Sequence, residues 1–241
     1  MFKSLPNWIT LGNLTCGLLA IVAVFEGEPL LAFALMLIAG VLDFFDGFAA
    51  RLLGVAGDLG KQLDSLADLV SFGIVPGLIW RHYMLFYGFC PSTGFCINQY
   101  VWLAIPLAAA YRLAVFNISE DQTTTFKGIP TPITGLALAS WAWVNESNWV
   151  PSWSITGVEI FQNFYVYLYK PILAAYFMIS DHLMLSMKFN HSDGHNTKRF
   201  VLIGLLVFFA IGLFESYGLI LFYFSYILIS LITLKDNPQS S

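Results

Sequence analysis

Long apolar stretches separated by short polar segments run along almost the whole chain. A helix that crosses the hydrocarbon of a bilayer needs about 20 mostly apolar residues. By this criterion the pattern predicts eight spanning helices, at about residues 8–25, 30–53, 60–88, 100–118, 132–148, 162–187, 199–215 and 218–235. We therefore expect an all-α, polytopic membrane bundle of about eight helices that forms a single domain over residues 1–241.

The composition excludes several classes of protein. Apolar residues make up 58% of the chain and charged residues only 11%, whereas a soluble domain is about 25% charged. The chain is therefore neither an ordinary soluble globule nor disordered. Its net charge of −4 offers no basic excess for nucleic acid. Three cysteines are too few for a disulfide scaffold, and whether Cys90 and Cys96 pair or stay free is left open.

The basic residues predict the orientation of the bundle. If the N-terminus is cytoplasmic, nine of the eleven Lys and Arg residues fall at cytoplasmic helix ends and loops, and only Arg81 and Lys170 do not. Cytoplasmic loops of membrane proteins are enriched in these two residue types. We therefore expect both termini on the cytoplasmic side of a bacterial or archaeal cytoplasmic membrane.

Four aspartates lie in the predicted second and third spans, where an ionisable side chain is costly and commonly marks a functional site. Asp43 and Asp46 are three residues apart, and Asp64 and Asp68 are four apart, so each pair shares one face of its helix. The short, glycine-containing connection 52–59 makes the two helices antiparallel neighbours. We expect the two acidic faces to meet near the cytoplasmic surface.

Carboxylates gathered in one pocket repel each other unless cations compensate their charge. Two divalent cations would balance four carboxylates, and an all-oxygen ligand set suits Mg²⁺, Mn²⁺ or Ca²⁺ rather than zinc. Two such ions can hold the attacking and leaving oxygens of a phosphoryl displacement. Gly47 leaves space one turn from Asp43, and Arg51 offers a planar fork for a phosphate one turn further along the helix.

The segment 43–68 resembles the complete signature of the CDP-alcohol phosphatidyltransferase family, with each fixed position filled: Asp43, Asp46, Gly47, Ala50, Arg51, Gly60, Asp64 and Asp68. Members are integral membrane enzymes that transfer a phosphatidyl or related group from a CDP-linked donor to an alcohol and release CMP. The resemblance implies a six-helix core, followed here by extra C-terminal helices. It also implies that the four aspartates bind two divalent ions, Mg²⁺ or Mn²⁺, with Ca²⁺ as a substitute or inhibitor, and that Asp68 accepts the proton of the alcohol.

The resemblance further implies contacts between CDP-diacylglycerol and four residues of this region: Gly47, Arg51, Gly57 and Lys61. Outside the signature the chain is similar to the phosphatidylserine synthase branch, in segments 6–13, 60–73, 111–117 and 126–132. This similarity predicts transfer to L-serine, which gives phosphatidylserine and CMP. Glycerol phosphate and inositol phosphate are the alternative acceptors, but they would call for an extra basic cluster that the sequence does not show.

Serine is a zwitterion, so its site needs a cation and an acceptor. Arg112 with Lys127 is the candidate pair for the carboxylate, and Asn117 or Asn13 is the candidate for the ammonium group. The structural alternatives are a membrane anchor for Arg112 and a helix cap for Asn117. We also expect membrane lipids and a second copy of the chain, as a homodimer, to be partners.

An ion-coupled transporter is the competing interpretation from a different functional class. Transporters commonly carry inverted repeats and place their ion sites near the bilayer midplane. The chain shows no such repeat, and its four acids lie near one membrane face, so the sequence favours an enzyme.

Overall fold

The structure is a computed structural model that describes residues 5–55, 57–88, 97–118, 125–146, 164–180, 183–185, 223 and 225–227. Its main elements are eight α-helices: α1 (Leu5–Phe25), α2 (Pro29–Leu53), α3 (Asp58–Asp68), α4 (Val75–Phe86), α5 (Ala104–Ile118), α6 (Thr131–Ala139), α7 (Trp141–Glu146) and α8 (Phe164–Ile179). A π-helical turn, Leu69–Ile74, joins α3 to α4, and a 3₁₀-helix, Ile97–Leu103, precedes α5. Two short strands, β1 (Thr125–Lys127) and β2 (Leu183–Leu185), pair antiparallel.

Four helical segments in this described part are long and apolar enough to cross a membrane: Leu5–Phe25, Pro29–Leu53, Asp58–Phe86 and Asn98–Ile118. The prediction of a helical membrane protein is therefore confirmed. The predicted total of eight spans stays a prediction. The spans expected at 199–215 and 218–235 lie outside the described residues, apart from Tyr223 and the helical residues 225–227, and so do Cys90 and Cys96.

Two of the predicted spans differ in the structure. The span expected at 132–148 is divided at Ser140 into α6 and α7. The helix expected over 162–187 ends at Ile179, and the chain continues as strand β2. The reason is a tertiary contact, because the backbone N–H of Ile129 donates to the carbonyl of Phe177 at 3.1 Å and directs β1 along the segment that follows α8.

The core lies between α2, the π turn and α4. Phe33 and Met36 of α2 pack with Phe72 of the π turn and Ile79 of α4, and each of these side chains is at most 2% exposed. Large apolar side chains are exposed on the outer faces of the helices, and Phe44, for example, is 65% exposed. In a spanning helix such side chains contact lipid, which explains why so much apolar surface faces outward.

The connection between α2 and α3 is short and tight. Gly54 caps α2 with φ at +61°, and its N–H donates toward the carbonyls of Ala50 and Arg51. Glycine adopts this left-handed conformation without the steric cost that other residues incur. The end of the bundle at this connection, where α1 and α6 also begin and α5 ends, is called the signature end.

The opposite end of the bundle contains a group of ring and polar side chains from α4, α7 and α8, called the aromatic cluster: Trp80, Tyr83, Tyr87, Trp141, Asn145, Glu146 and Tyr167. The ring of Trp80 stacks on that of Trp141 with centroids 5.8 Å apart, and the Tyr167 ring lies 4.9 Å from Trp80. The Trp141 Nε1–H donates to the Tyr167 hydroxyl at 2.6 Å. This cluster joins three helices at the end of the bundle opposite the four signature aspartates.

Candidate active site

Three carboxylates from two helices converge at the signature end. One oxygen from each of Asp43, Asp64 and Asp68 lies within 4.8 Å of the others. Asp43 belongs to α2, and Asp64 and Asp68 belong to α3. The short connection between these two helices places α3 beside α2. Asp68 is 7% exposed, and the other two are half-buried. The structure therefore brings three of the four signature aspartates together.

Asp46, the fourth aspartate, lies beside this group and is 5% exposed. Its Oδ2 accepts a hydrogen bond from the Thr10 hydroxyl at 2.6 Å. Thr10 belongs to α1, so the first helix contributes directly to the site. Asn13, one turn further along α1, places its Nδ2 3.4 Å from Oδ1 of Asp68.

The contact between Thr10 and Asp46 was not predicted from the sequence, although a signal for it exists. Asn7, Thr10 and Asn13 recur every three residues along an otherwise apolar helix, which places three polar groups close to one face. Polar groups on a spanning helix are costly unless they find partners. This spacing could therefore have indicated that α1 faces the acidic residues.

An open cleft of about 230 Å³ adjoins the acids, and Asp46 and Asp64 belong to its lining. It is lined by residues from α1, α2 and α3, which include the four predicted contacts of the CDP-linked donor: Gly47, Arg51, Gly57 and Lys61. A side chain built on Gly47 would meet no protein atom within 4 Å of its Cβ. The space beside Gly47 is thus part of the cleft and is not filled by helix packing.

The predicted serine contacts lie in different surroundings. Arg112 of α5 is half-buried, and its Nη1 donates to the Thr131 hydroxyl at 3.4 Å. Its Nε is buried and has no hydrogen-bond partner among the described residues. The guanidinium interacts electrostatically with Asp68 and Tyr226. Arg112 therefore combines a buried, unpartnered donor with an electrostatic interaction with one of the clustered acids.

Asn117 and Lys61 connect the end of α5 to α3. The Lys61 ammonium donates to the backbone carbonyl of Asn117 at 2.7 Å. The Asn117 amide donates to Ser65 at 2.9 Å and to Gln62 at 3.2 Å. Contacts of serine with Asn117 or Asn13 stay predictions, and both amides already have partners within the protein. Lys127 lies in strand β1, and its side chain is outside the described part.

The donor set of the three clustered aspartates fits a hard divalent cation. Their ligand atoms are all carboxylate oxygens and lie within 4.8 Å of one another. Oxygens on opposite sides of a Mg²⁺ or Ca²⁺ ion are about 4–5 Å apart, because each lies about 2.0–2.6 Å from the metal. No His or Cys belongs to this group in the part of the chain that the structure describes, so the site has none of the ligands that zinc prefers.

The sequence model of one protein family, described as CDP-alcohol phosphatidyltransferase, matches residues 3–166. The chain belongs to this family. The match includes α1 to α7 and ends within the first residues of α8. Hence all four signature aspartates, the cleft and Arg112 lie inside the family domain, whereas Tyr226 lies beyond it.

Several curated relatives of the family resemble the chain. The CDP-diacylglycerol–serine O-phosphatidyltransferase of Bacillus subtilis is 39% identical over 134 residues, which are 56% of this chain and 72% of the relative. The protein of the same name from Mycobacterium leprae is 35% identical over 53% of this chain and 43% of its own length. The archaetidylserine synthase of Methanothermobacter thermautotrophicus is 32% identical over 58% of each chain. The chain thus spans about half the length of the Mycobacterium leprae and Methanothermobacter thermautotrophicus relatives.

Proposed function

We propose that the protein transfers the phosphatidyl group of CDP-diacylglycerol to L-serine and releases CMP. The observation that carries this proposal is that Asp64 belongs both to the group of three clustered carboxylates and, with Gly47, to the lining of the open cleft. The cleft provides room for a nucleotide next to a group of metal ligands. Relatives named for serine transfer favour serine as the acceptor.

We assign two divalent cations, Mg²⁺ or Mn²⁺, to Asp43, Asp46, Asp64 and Asp68. When bound, such ions neutralise charge that develops on phosphoryl oxygens during displacement. Gly47 leaves the backbone of α2 open to the donor, and Arg51 with Lys61 supplies cationic groups along the same cleft. These residues hold the pyrophosphate and cytidine parts of the donor.

The reaction is a displacement at the phosphorus that carries diacylglycerol. The serine hydroxyl oxygen forms a bond to this phosphorus, while the bond from phosphorus to the bridging oxygen breaks. That oxygen leaves with its electron pair as part of CMP. The serine proton passes to Oδ2 of Asp68, since Oδ1 already accepts from Asn13. A positioned base of this kind contributes about 10²–10⁴ in rate.

Arg112 binds the serine carboxylate. Its buried Nε has no partner among the described residues, and its guanidinium interacts electrostatically with Asp68. A buried donor that is left unpaired is costly, and a carboxylate accepts well from a guanidinium fork. Serine held there brings its hydroxyl toward the proposed base.

The active site faces the cytoplasm, together with both termini. Nine of eleven basic residues support this orientation, and serine and CMP are cytoplasmic compounds that exchange directly with the open cleft. In a variant whose native Cys16, Cys90 and Cys96 are replaced by serine, a single cysteine introduced at Asp58, which is exposed at the start of α3, should react with a membrane-impermeant maleimide only in inside-out vesicles. Labelling in right-side-out vesicles would contradict the orientation.

The decisive experiment compares acceptors side by side. The purified protein in lipid vesicles receives CDP-diacylglycerol, Mn²⁺ or Mg²⁺, and one of serine, glycerol 3-phosphate or inositol phosphate. We expect CMP release and a new phospholipid with serine alone, and no reaction when a chelator is in excess. Turnover with another acceptor while serine is inert would overturn the assignment of the substrate, and full activity in chelator would overturn the assignment of the metals.

A further inference from the structure

Two fully buried polar side chains lie directly behind Asp68. Asn13 of α1 and Ser71 of the π turn are both 0% exposed. The Ser71 hydroxyl lies 2.7 Å from Oδ1 of Asn13, and the Asn13 Nδ2 lies 3.4 Å from Oδ1 of Asp68. The three residues thus form a chain of hydrogen bonds that leads from the core to the acidic group.

This chain depends on an unusually close approach of two segments. A Cβ on Gly17 would lie 2.5 Å from the Ser71 hydroxyl oxygen and 3.2 Å from the Ser71 backbone. Only a residue without a side chain lets the π turn come so near to α1. The π turn itself starts at the residue after Asp68, and such turns occur frequently at functional sites. The local backbone is therefore arranged to bring Ser71 to Asn13.

The hydrogen bonds also determine which way the Asn13 amide points. Its oxygen is the nearer of two acceptors for the Ser71 hydroxyl, at 2.7 Å against 3.2 Å for the backbone carbonyl of Asn13, so its NH₂ group is directed at Asp68. The reverse orientation would place the amide oxygen against a carboxylate oxygen, where two acceptors repel. The hydroxyl of Ser71 therefore keeps the Asn13 donor on one oxygen of Asp68 and leaves the other oxygen available to the site.

We propose that Asn13 and Ser71 are positioning residues that hold the Asp68 carboxylate in its metal-binding orientation. This inference rests on the proposed function, because it takes Asp68 as a ligand of the divalent ions. Residues that orient metal ligands through hydrogen bonds typically affect metal affinity or activity by about 10–100-fold when they are replaced. Neither residue needs to touch the substrates for this role.

The test measures Mn²⁺ binding directly, by titration followed with electron paramagnetic resonance, on the full chain in detergent. Ser71→Ala removes the hydroxyl, and Ser71→Cys replaces it with a weaker donor of similar shape. The matched control is Ser140→Ala. Ser140 is also 0% exposed, but its hydroxyl donates to the carbonyl of Ala137 in the preceding helix α6 at 2.8 Å.

We expect Ser71→Ala and Asn13→Ala to weaken Mn²⁺ binding by about 10–100-fold, and Ser71→Cys to weaken it less. Ser140→Ala should bind as the wild type does. In turnover, Ser71→Ala should lower kcat and leave the KM values for serine and CDP-diacylglycerol within about twofold of wild type at saturating Mn²⁺. A general loss of stability would not produce this ranking, because affinity is measured on the folded fraction.

Equal Mn²⁺ affinity in Ser71→Ala and Ser140→Ala, with the wild type binding normally, would overturn the inference and leave the proposed function intact. A wild-type protein that binds no Mn²⁺ would overturn the metal assignment and the inference with it. If the wild type binds Mn²⁺ but does not turn over serine, only the assignment of serine as the acceptor is contradicted, and the inference about Asn13 and Ser71 stands.

Discussion

The two ends of the bundle use buried polar groups in opposite ways. In the aromatic cluster, the tyrosine hydroxyl donors meet acceptors of the protein: the Tyr83 hydroxyl donates to Glu146 at 3.1 Å, and the Tyr87 hydroxyl donates to Asn145 at 2.5 Å. At the signature end, acceptors meet acceptors, because three carboxylates share a space only 4.8 Å across. Polar groups that satisfy each other stabilise a fold, whereas like charges brought together must be neutralised by a bound cation or by protonation. The difference separates a structural cluster from a candidate binding site.

Among the changes that test this difference, replacing the proposed base Asp68 should have the largest effect on activity. Asp68→Asn keeps the shape of the side chain but removes the proton acceptor, so we expect kcat to fall by about 10²–10⁴. The purified variant should unfold at a temperature no lower than the wild type, since one repelling charge is gone. Asp58→Asn is the control, because Asp58 is an exposed residue of the same helix. Near wild-type kcat in Asp68→Asn would show that the base is another group.

Filling the cleft should have the next largest effect. Gly47→Leu adds a side chain whose Cβ would meet no protein atom within 4 Å, so the fold should tolerate it while the donor should not. A clash of about 1–3 kcal/mol corresponds to about a 5–150-fold rise in KM for CDP-diacylglycerol. Gly47→Ala serves as the control, with a much smaller rise. If Gly47→Leu unfolds well below the wild-type temperature, Gly47 is a helix-packing residue.

Arg112→Ala should have a smaller and more selective effect. A hydrogen bond to a charged group is worth about 1.5–3 kcal/mol, so the KM for serine should rise by about 10–100-fold while that for CDP-diacylglycerol changes little. Arg81→Ala, which removes the basic residue near the end of α4 far from the acids, should change neither KM. Equal rises for both substrates would assign Arg112 to the lipid phosphate or to the fold.

A change in the aromatic cluster should alter stability and leave catalysis unchanged. Tyr167→Phe removes the hydroxyl that accepts from Trp141 at 2.6 Å, which should cost about 1–3 kcal/mol in the free energy of unfolding. Turnover per folded molecule should match the wild type. Tyr165→Phe is the control, because Tyr165 is 61% exposed on the same helix. A large loss of kcat in Tyr167→Phe would mean that the two ends are coupled.

Local patterns were sufficient to predict a substantial part of the fold and of the site. The span expected at 30–53 differs from α2 by one residue, because length and hydropathy define a membrane helix. The four aspartates were found by their cost in an apolar segment and by their spacing. These are properties of residues close together in the chain, which a single sequence displays directly.

Features that depend on distant contacts could not be predicted in this way. The end of α8 at Ile179 and the pairing of β1 with β2 follow from the approach of residues 127–129, about fifty residues earlier in the chain. The same holds for the hydrogen bond between Thr10 and Asp46, which joins two helices. Hydropathy carries no information about which helix faces which.

The π turn after Asp68 has a consequence for insertions and deletions. A π turn closes its hydrogen bonds over five residues, one more than an α-helix, so the chain carries spare length between Asp68 and α4. Deleting one residue within Leu69–Ile74 would let the segment relax to an ordinary α-helix. The residues beyond the deletion would nearly keep their orientation, because five α-helical residues turn the chain about as far as six π-helical ones. A deletion within α4 before Trp80 has no spare length to draw on, so it would rotate Trp80 by about 100° away from Trp141. The π turn is thus a stretch that can lose a residue without misaligning the acidic residues at one membrane face and the ring packing at the other.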